Sequence, residues 1–341
     1  MQPPAALSRH RELLEDNLRS LLARQHPQRL FAMLRYHLGW EDSAGRPADN
    51  VGKRLRPALC LLTCEAVGGD VRSALPLASA LELVHNFSLV HDDVQDRDAK
   101  RHGRDTVWSL WGEAQAINAG DALLAIAHLS LARATDAGLP AETTVRASAL
   151  LSERTLEMVE GQVMDIEFES RLDVSLDEYV AMISRKTGAL FDVSLSLGGL
   201  AGGATLATVE ALGRCGRALG IAFQVRDDML GVWGAEDRTG KPAASDIRRR
   251  KKALPAVFTL ATADAGQCEE IERIYNHDDV SDDDVARVLQ AMDALGAQAY
   301  CAKVAAEYRD AALSELERAS ISGGSANELR ETAEFLLQRD Y

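Results

Sequence analysis

Apolar residues recur along most of the chain at intervals of three and four, the spacing of one face of an α-helix. Leu13, Leu14, Leu18, Leu21 and Leu22, then Leu30, Met33 and Leu34, mark two helices separated by Pro27. Residues 41–50 are polar, hold Gly45 and Pro47, and read as a loop. An apolar helix then runs through Cys64, and another covers residues 75–93. Residues 112–134, 143–165, 176–200 and 208–230 predict four long, mostly apolar helices. Gly198-Gly199 and Gly202-Gly203 are expected to break or cap them. Residues 256–341 are helical again. Runs of alternating Val, Ile and Thr are scarce, so strands are not expected. The pattern predicts an all-α fold in one helical domain over residues 1–341, with the helices and loop of 1–50 packed on the core. No Ser/Pro-rich linker or compositional break divides it.

Composition narrows what such a bundle can do. The 341 residues are 46% hydrophobic, ample for a large core, and carry a net charge of −14. Nucleic-acid binding rests on a basic surface, so nucleic acid is not expected as a partner. No uncharged apolar stretch reaches 18 residues, so no membrane span is predicted, and the N-terminus lacks a signal-peptide pattern. The five cysteines are odd in number and have no CxxC spacing. A reducing, cytoplasmic location without disulfides or zinc is the expectation.

The candidate chemistry begins where an apolar run ends in acid, at Leu89-Val90-His91-Asp92-Asp93-Val94-Gln95-Asp96. On a helix, Asp92 and Asp96 share a face, with Asp93 about 100° round the axis. Like charges at that spacing repel, and the helix C-terminus, negative by its dipole, makes matters worse. A hard divalent cation with oxygen ligands would compensate. A second pair, Asp227-Asp228, follows another apolar helical run. Carboxylates from two facing helices are a recurring way to hold metals.

Short basic motifs accompany the acids. Lys53, Arg54 and Arg56 sit at a helix start, where cations with free N–H groups suit a phosphate. Residues 97–106 form a basic loop with one glycine. Lys186-Thr187, Gly161-Gln162 and Asp165 put polar groups inside apolar runs, and buried polar groups need partners or a polar cavity. Residues 231–255 include Lys241 and five consecutive cations, Arg248 to Lys252, read as a mobile loop closing over a polyanionic substrate. Ser281 with Asp284 three residues on reads as a helix N-terminus rather than a calcium loop. Two carboxylate clusters, several basic motifs and an apolar interior together suit a Mg2+-dependent enzyme acting on a lipid-like diphosphate.

The residues also carry a family resemblance. GKRLRP (52–57), ELVHNFSLVHDDVQD (82–96), RHGRDTVW (101–108), GDAL (120–123), GQ (161–162) with Asp165, KTG (186–188), FQVRDD (223–228), TGKP (239–242) and SD (245–246) occur in the order and spacing of the trans-isoprenyl diphosphate (polyprenyl) synthases. The chain resembles that family from about residue 50 onward, most closely its geranylgeranyl diphosphate synthases. The resemblance implies a helical bundle around a deep central cavity, and a homodimer. It implies a prenyltransferase that joins isopentenyl diphosphate to an allylic diphosphate in a 1′-4, trans condensation. Asp92 and Asp96 would hold two Mg2+ and Asp227 a third, with Asp93 and Asp228 counted among the metal-binding residues as well. Arg101, Lys186 and Lys241 would bind the allylic diphosphate. Thr187 and Gln224 would present oxygens to the allylic cation. Lys53, Arg56 and His85 would bind isopentenyl diphosphate, with His102 in place of the family's second arginine.

The chain departs from the family pattern at three places. Gly231 stands where the second motif has its last aspartate, His102 replaces arginine, and Asp105 replaces proline. In this family the residues just before the first motif form the floor on which the growing tail ends. Phe87 lies five residues before Asp92, about 7.5 Å along a helix, and Ser88 beside it is small. One aromatic at that position is similar to one group of geranylgeranyl synthases, so a C20 product is expected, with C15 farnesyl diphosphate as the alternative. A terpene cyclase-like enzyme on the same fold would lack the isopentenyl site, but Lys53, Arg56 and His85 are present. A non-catalytic partner subunit would lose first-motif aspartates, and that motif is intact.

Overall fold

The computed structural model describes residues 4–23, 27–234, 244–277 and 279–337. A short 3-10 turn, Ala5–Leu7, precedes α1 (Arg11–Leu21) and α2 (Gln28–His37), which Pro27 opens. Then come α3 (Leu55–Ala66), α4 (Val71–Gln95), α5 (Val107–Trp111), α6 (Glu113–Ala132) and α7 (Ala141–Glu169). After α8 (Leu176–Ile183), a π turn over Ser184–Gly188 leads without a break into α9 (Ala189–Ala201) and then α10 (Leu206–Trp233). The remainder is α11 (Ser245–Arg248), α12 (Leu254–Thr262), α13 (Ala265–Tyr275), α14 (Asp282–Ala294), α15 (Ala297–Arg318) and α16 (Gly324–Leu337).

The all-α expectation holds, with small differences that have local causes. Helix α4 starts at Val71, earlier than the apolar pattern indicates, because the Asp70 side chain caps it by accepting from the Arg72 amide at 2.9 Å. The expected helix over 112–134 is α6, and the short α5 precedes it, with Gly112 at φ 88° turning the chain between the two. Against the expectation of no strands, Lys100–Arg101 (β1) and Arg104–Asp105 (β2) form a two-stranded antiparallel ribbon. His102 and Gly103, both at positive φ, make the tight turn that such a ribbon requires. Gly198 and Gly199 do not break α9. A Cβ on Gly198 would meet Thr63 Cβ at 2.7 Å, so glycine there lets α9 pass close to α3.

Helix α9 is the centre of the bundle. Every residue from Ala189 to Gly199 is buried, as expected of a helix that is apolar all round. It packs against α3, α4, α7 and α10, while α4 also lies along α6 and α10 along α15. Leu190, Val193 and Leu197 join Leu77, Leu81 and Val84 of α4 in one core cluster; Phe191 and Leu195 join Leu212 and Leu219 of α10 in another. Each such aliphatic side chain contributes roughly 1.5–3 kcal/mol on burial. Helix α1 rests on α4, with Leu14 and Leu18 in the first cluster. This packing holds α4 and α10 either side of α9 and brings their acidic C-terminal ends to the same end of the bundle, next to the π turn.

Candidate active site

The π turn sets the site's centre. Inserting one residue into a helix widens one turn, and such bulges are frequent at functional sites. Here it carries Lys186 and Thr187. Helix α7 comes against it at Gly161, where a Cβ would meet Lys186 Cα at 2.8 Å. Asp165, one turn further along α7, accepts from Lys186 Nζ at 2.5 Å, and Asp92 of α4 lies 3.9 Å from the same ammonium. Gln162 Nε2 donates to Gln95 Oε1 at 3.0 Å and ties α7 to the end of α4. The Asp92–Asp96 face read from the sequence is thus built around a lysine. Burial raises the Asp92 carboxyl, opposed only in part by Lys186 and Arg101. Desolvation by the surrounding protein and the neighbouring Asp92 lift Asp96 to about 6, although the residue is exposed at the helix end.

Within each aspartate pair, one member turns inward. Asp93 is 2% exposed and accepts from Arg101 Nε at 2.7 Å. Asp228 is 1% exposed and accepts from Tyr179 Oη, from Gln224 Nε2 at 3.0 Å and from the Leu254 amide at 3.3 Å. Both are engaged by protein groups, whereas Asp92 is half-buried and Asp227 exposed. Gln224 is oriented at both ends: its Oε1 accepts from Thr187 Oγ1 at 2.8 Å while its Nε2 serves Asp228. The candidates Thr187, Gln224 and Asp228 therefore form one hydrogen-bonded line leading to Tyr179.

The three cations at the start of α3 have different fates. Arg54 is buried, adopts a left-handed backbone at φ 50°, and pairs with Glu15 at 2.8 Å and Glu82 at 2.7 Å. It anchors α1 and α4 to α3. Lys53 is exposed. Arg56 stacks over Phe191, 5.0 Å from the ring centroid, and its NH1 donates to His85 Nε2 at 3.1 Å. Burial, then the guanidinium groups of Arg56 and Arg101, hold the His85 imidazole well below its usual range. His85 is therefore neutral, accepting at Nε2 and carrying its proton on Nδ1. Burial lowers Arg56 to about 10, leaving it charged at neutral pH. Its buried Nε finds no hydrogen-bond partner among the described residues. A buried, charged donor without an acceptor suits an anionic ligand.

No motif singles out His37, yet it lies against the same cations. Burial, then Arg101, Arg54 and Arg104, lower it to about 3. His102 sits exposed at the tip of the β1–β2 turn. Lys241 lies outside the described residues, as does the rest of TGKP (239–242).

The five-cation run is not the free loop expected. Arg248 pairs with Asp282 at 2.6 Å, Arg249 with Asp98 at 3.1 Å, and Arg250 donates to the His277 carbonyl at 2.6 Å. Lys252 is buried with its ammonium over the Tyr275 ring. Lys251, another member of the run, is exposed but feels the acids electrostatically. Burial alone would lower its ammonium, but Asp228, Asp246, Asp165 and Asp227 outweigh that and raise it. Ser281 and Asp284 form a reciprocal capping box on α14, as read.

Two acidic helix ends thus lie near Lys186 and within electrostatic reach of Lys251, with a half-buried arginine and a neutral histidine nearby. The polyprenyl synthetase family model matches residues 42–292 of this chain. The chain belongs to the polyprenyl synthetase family. The synthase is 40% identical over 334 residues to a (2E,6E)-farnesyl diphosphate synthase of Mycobacterium tuberculosis, covering 96% of this chain and 91% of that one. It is 38% identical over 289 residues to a geranylgeranyl diphosphate synthase of Saccharolobus solfataricus, covering 84% and 86% of the two chains. A crystal structure of geranylgeranyl pyrophosphate synthase from Corynebacterium glutamicum, complexed with isoprenyl diphosphate and magnesium, superposes with a TM-score of 0.84 at 27% identity, over 98% of this chain and 99% of that one. The synthase is a trans-prenyltransferase, and enzymes of its family are Mg2+-dependent.

The synthase's donor set fits that metal. Among the described residues no three acidic, His or Cys side chains converge into a ready cage. Mg2+ does not need one: it keeps several waters and takes one or two carboxylates together with phosphate oxygens. Just above the first motif, Phe87 is 8% exposed and meets the His91 ring edge-on at 5.0 Å. Ser88 donates to the His85 carbonyl at 2.7 Å and adds no bulk beside it. No helix among the described residues is long and apolar enough to cross a membrane.

Proposed function

We propose that the synthase condenses isopentenyl diphosphate with allylic diphosphates, 1′-4 and trans, and stops at geranylgeranyl diphosphate, C20. The observation that carries this reading is Asp92, at the acidic end of α4, lying 3.9 Å from Lys186 on the π turn, with Asp96 and Asp227 close enough to Lys186 and Lys251 to interact electrostatically. Three Mg2+ suit these outward carboxylates, and Mg2+ supplies charge stabilisation of the departing diphosphate. Lys186, Lys251, Arg101 and Lys241 bind the oxygens of the allylic diphosphate. Asp93 holds Arg101 by its Nε, which fixes the direction of the guanidinium. Lys53, Arg56 and His85 bind isopentenyl diphosphate, and the unpartnered Arg56 Nε is the donor waiting for it. Thr187 and Gln224, locked to each other, turn oxygens toward the allylic carbon as its C–O bond breaks. The new bond joins that carbon to C4 of isopentenyl diphosphate, and the proton lost from C2 goes to the released pyrophosphate, so no side-chain base is needed.

The C20 limit rests on Phe87, held by packing against His91 one turn before Asp92. The farnesyl synthase relative keeps C15 as the second reading. Large apolar side chains of α6 and α7 stand exposed, among them Ile117, Leu129, Val145, Leu156 and Val163. A patch of this kind marks an interaction face, and we assign it to a homodimer. Light scattering should return the mass of two chains, and a monomer would contradict the assignment. The five cysteines are all free, in keeping with a reducing compartment.

The function is tested by supplying Mg2+, isopentenyl diphosphate and, in turn, the C5, C10 and C15 allylic diphosphates, then sizing the products. Each starter should yield C20. Absence of elongation from all three would sink the proposal, and products that end at C15 would favour the second reading. Phe87→Ala should lengthen the product. An unchanged length would remove Phe87 as the floor.

A further inference from the structure

The acidic end of α10 lacks one side chain, and another segment fills the space. Gly231 stands four residues after Asp227, so a side chain there would lie one turn further along the same face. A Cβ placed on Gly231 would run into the Asp246 carboxylate. Cγ and both oxygens are within van der Waals contact of that point, the farthest being Oδ1 at 2.8 Å. The Asp246 carboxylate therefore occupies the volume that any side chain at 231 would need. It reaches that position from α11, which packs on α10 through the fully buried Ile247. Ser245 braces the arrangement, with its Oγ 3.5 Å from the Gly231 carbonyl and 3.4 Å from Asp246 Oδ1. The Lys251 amide donates to the Asp246 carbonyl at 2.8 Å and closes the turn that brings Lys251 toward the same acids.

We propose that Asp246 supplies the cleft-side carboxylate that position 231 lacks, and that Gly231 is the opening that admits it. Asp227 and Asp246 then make a pair comparable with Asp92 and Asp96, drawn from two segments instead of one helix. The ligand class is a Mg2+–diphosphate, with Asp246 holding the metal or one of its waters. This inference rests on the prenyl diphosphate reading of the site. A purely structural role for Asp246 makes a different prediction, because asparagine has the same shape and keeps the packing and the Ser245 contact while losing the charge.

The test is calorimetric titration of the full chain with inorganic pyrophosphate at a series of Mg2+ concentrations, with thermal unfolding as a check on folding. Wild type should bind pyrophosphate only with Mg2+ present. Absence of that binding would sink the diphosphate reading itself, a failure distinct from that of Asp246. Asp246→Asn should unfold at the wild-type temperature but need about tenfold or more Mg2+ for half-maximal binding, as for loss of a residue supporting a metal. Asp246→Ala clears the space, so adding Gly231→Asp to Asp246→Ala returns a carboxylate from α10 and should bind at lower Mg2+ than Asp246→Ala alone. Wild-type Mg2+ dependence in Asp246→Asn would overturn the proposal. So would a folded Gly231→Asp/Asp246→Ala variant that binds no better than Asp246→Ala.

Discussion

The C-terminal ends of α4 and α10 look alike in sequence and differ in construction. Each is an apolar run closing on two adjacent aspartates, and in each the first is the more exposed while the second turns inward. Asp93 is held by one guanidinium, and Asp228 by a phenol, an amide and a backbone N–H. At the next turn the two diverge. Helix α4 provides Asp96 itself, whereas α10 provides a glycine and lets Asp246 fold back onto it. A pair of neighbouring aspartates is therefore two different parts: an outward one, which the proposed function assigns to the metal, and an inward one that positions what surrounds it.

That division can be broken most severely at the outward position. Asp92→Asn should lower kcat about a hundred- to a thousandfold, the scale for losing one group that stabilises transition-state charge, with little change in unfolding temperature. Near-normal turnover would contradict the outward assignment. Tyr179→Phe acts on the inward side. It removes one donor from the buried Asp228, so it should cost about 1–3 kcal/mol in denaturant unfolding while leaving the Mg2+ requirement near that of wild type. A large kcat loss without a stability change would show that Asp228 faces the chemistry after all. A smaller effect sharpens the comparison by pH. Asp96 is raised to about 6 by desolvation and by Asp92. Its carboxylate must be charged to attract Mg2+, so affinity should be full well above 6 and fall by up to about tenfold per unit below it. Asp96→Asn should flatten that slope, and a slope unchanged in the variant would assign it elsewhere.

What the sequence made legible was the part carried by short-range order. The apolar period of three and four gave the helices, and the four-residue spacing of Asp92 and Asp96 gave their common face. The Ser281–Asp284 cap was readable for the same reason. Contacts between distant segments were not readable. The π turn is hidden because one inserted residue hardly disturbs the apolar pattern of residues 176–200. Arg54 read as one of three equivalent cations, because its partners Glu15 and Glu82 come from α1 and α4. Lys251 was masked by four basic neighbours whose partners lie on other elements. Gly231 read only as a missing acid, and the structure adds what stands in its place.

In the proposed reaction these two helix ends gather a diphosphate so that its allylic carbon can be joined to isopentenyl diphosphate. The most direct test combines wild-type protein, Mg2+, farnesyl diphosphate and labelled isopentenyl diphosphate in one reaction. Label should appear in a C20 diphosphate, released together with pyrophosphate and abolished by a Mg2+ chelator. Label remaining wholly in the C5 substrate, with or without loss of farnesyl diphosphate, would contradict the proposed reaction.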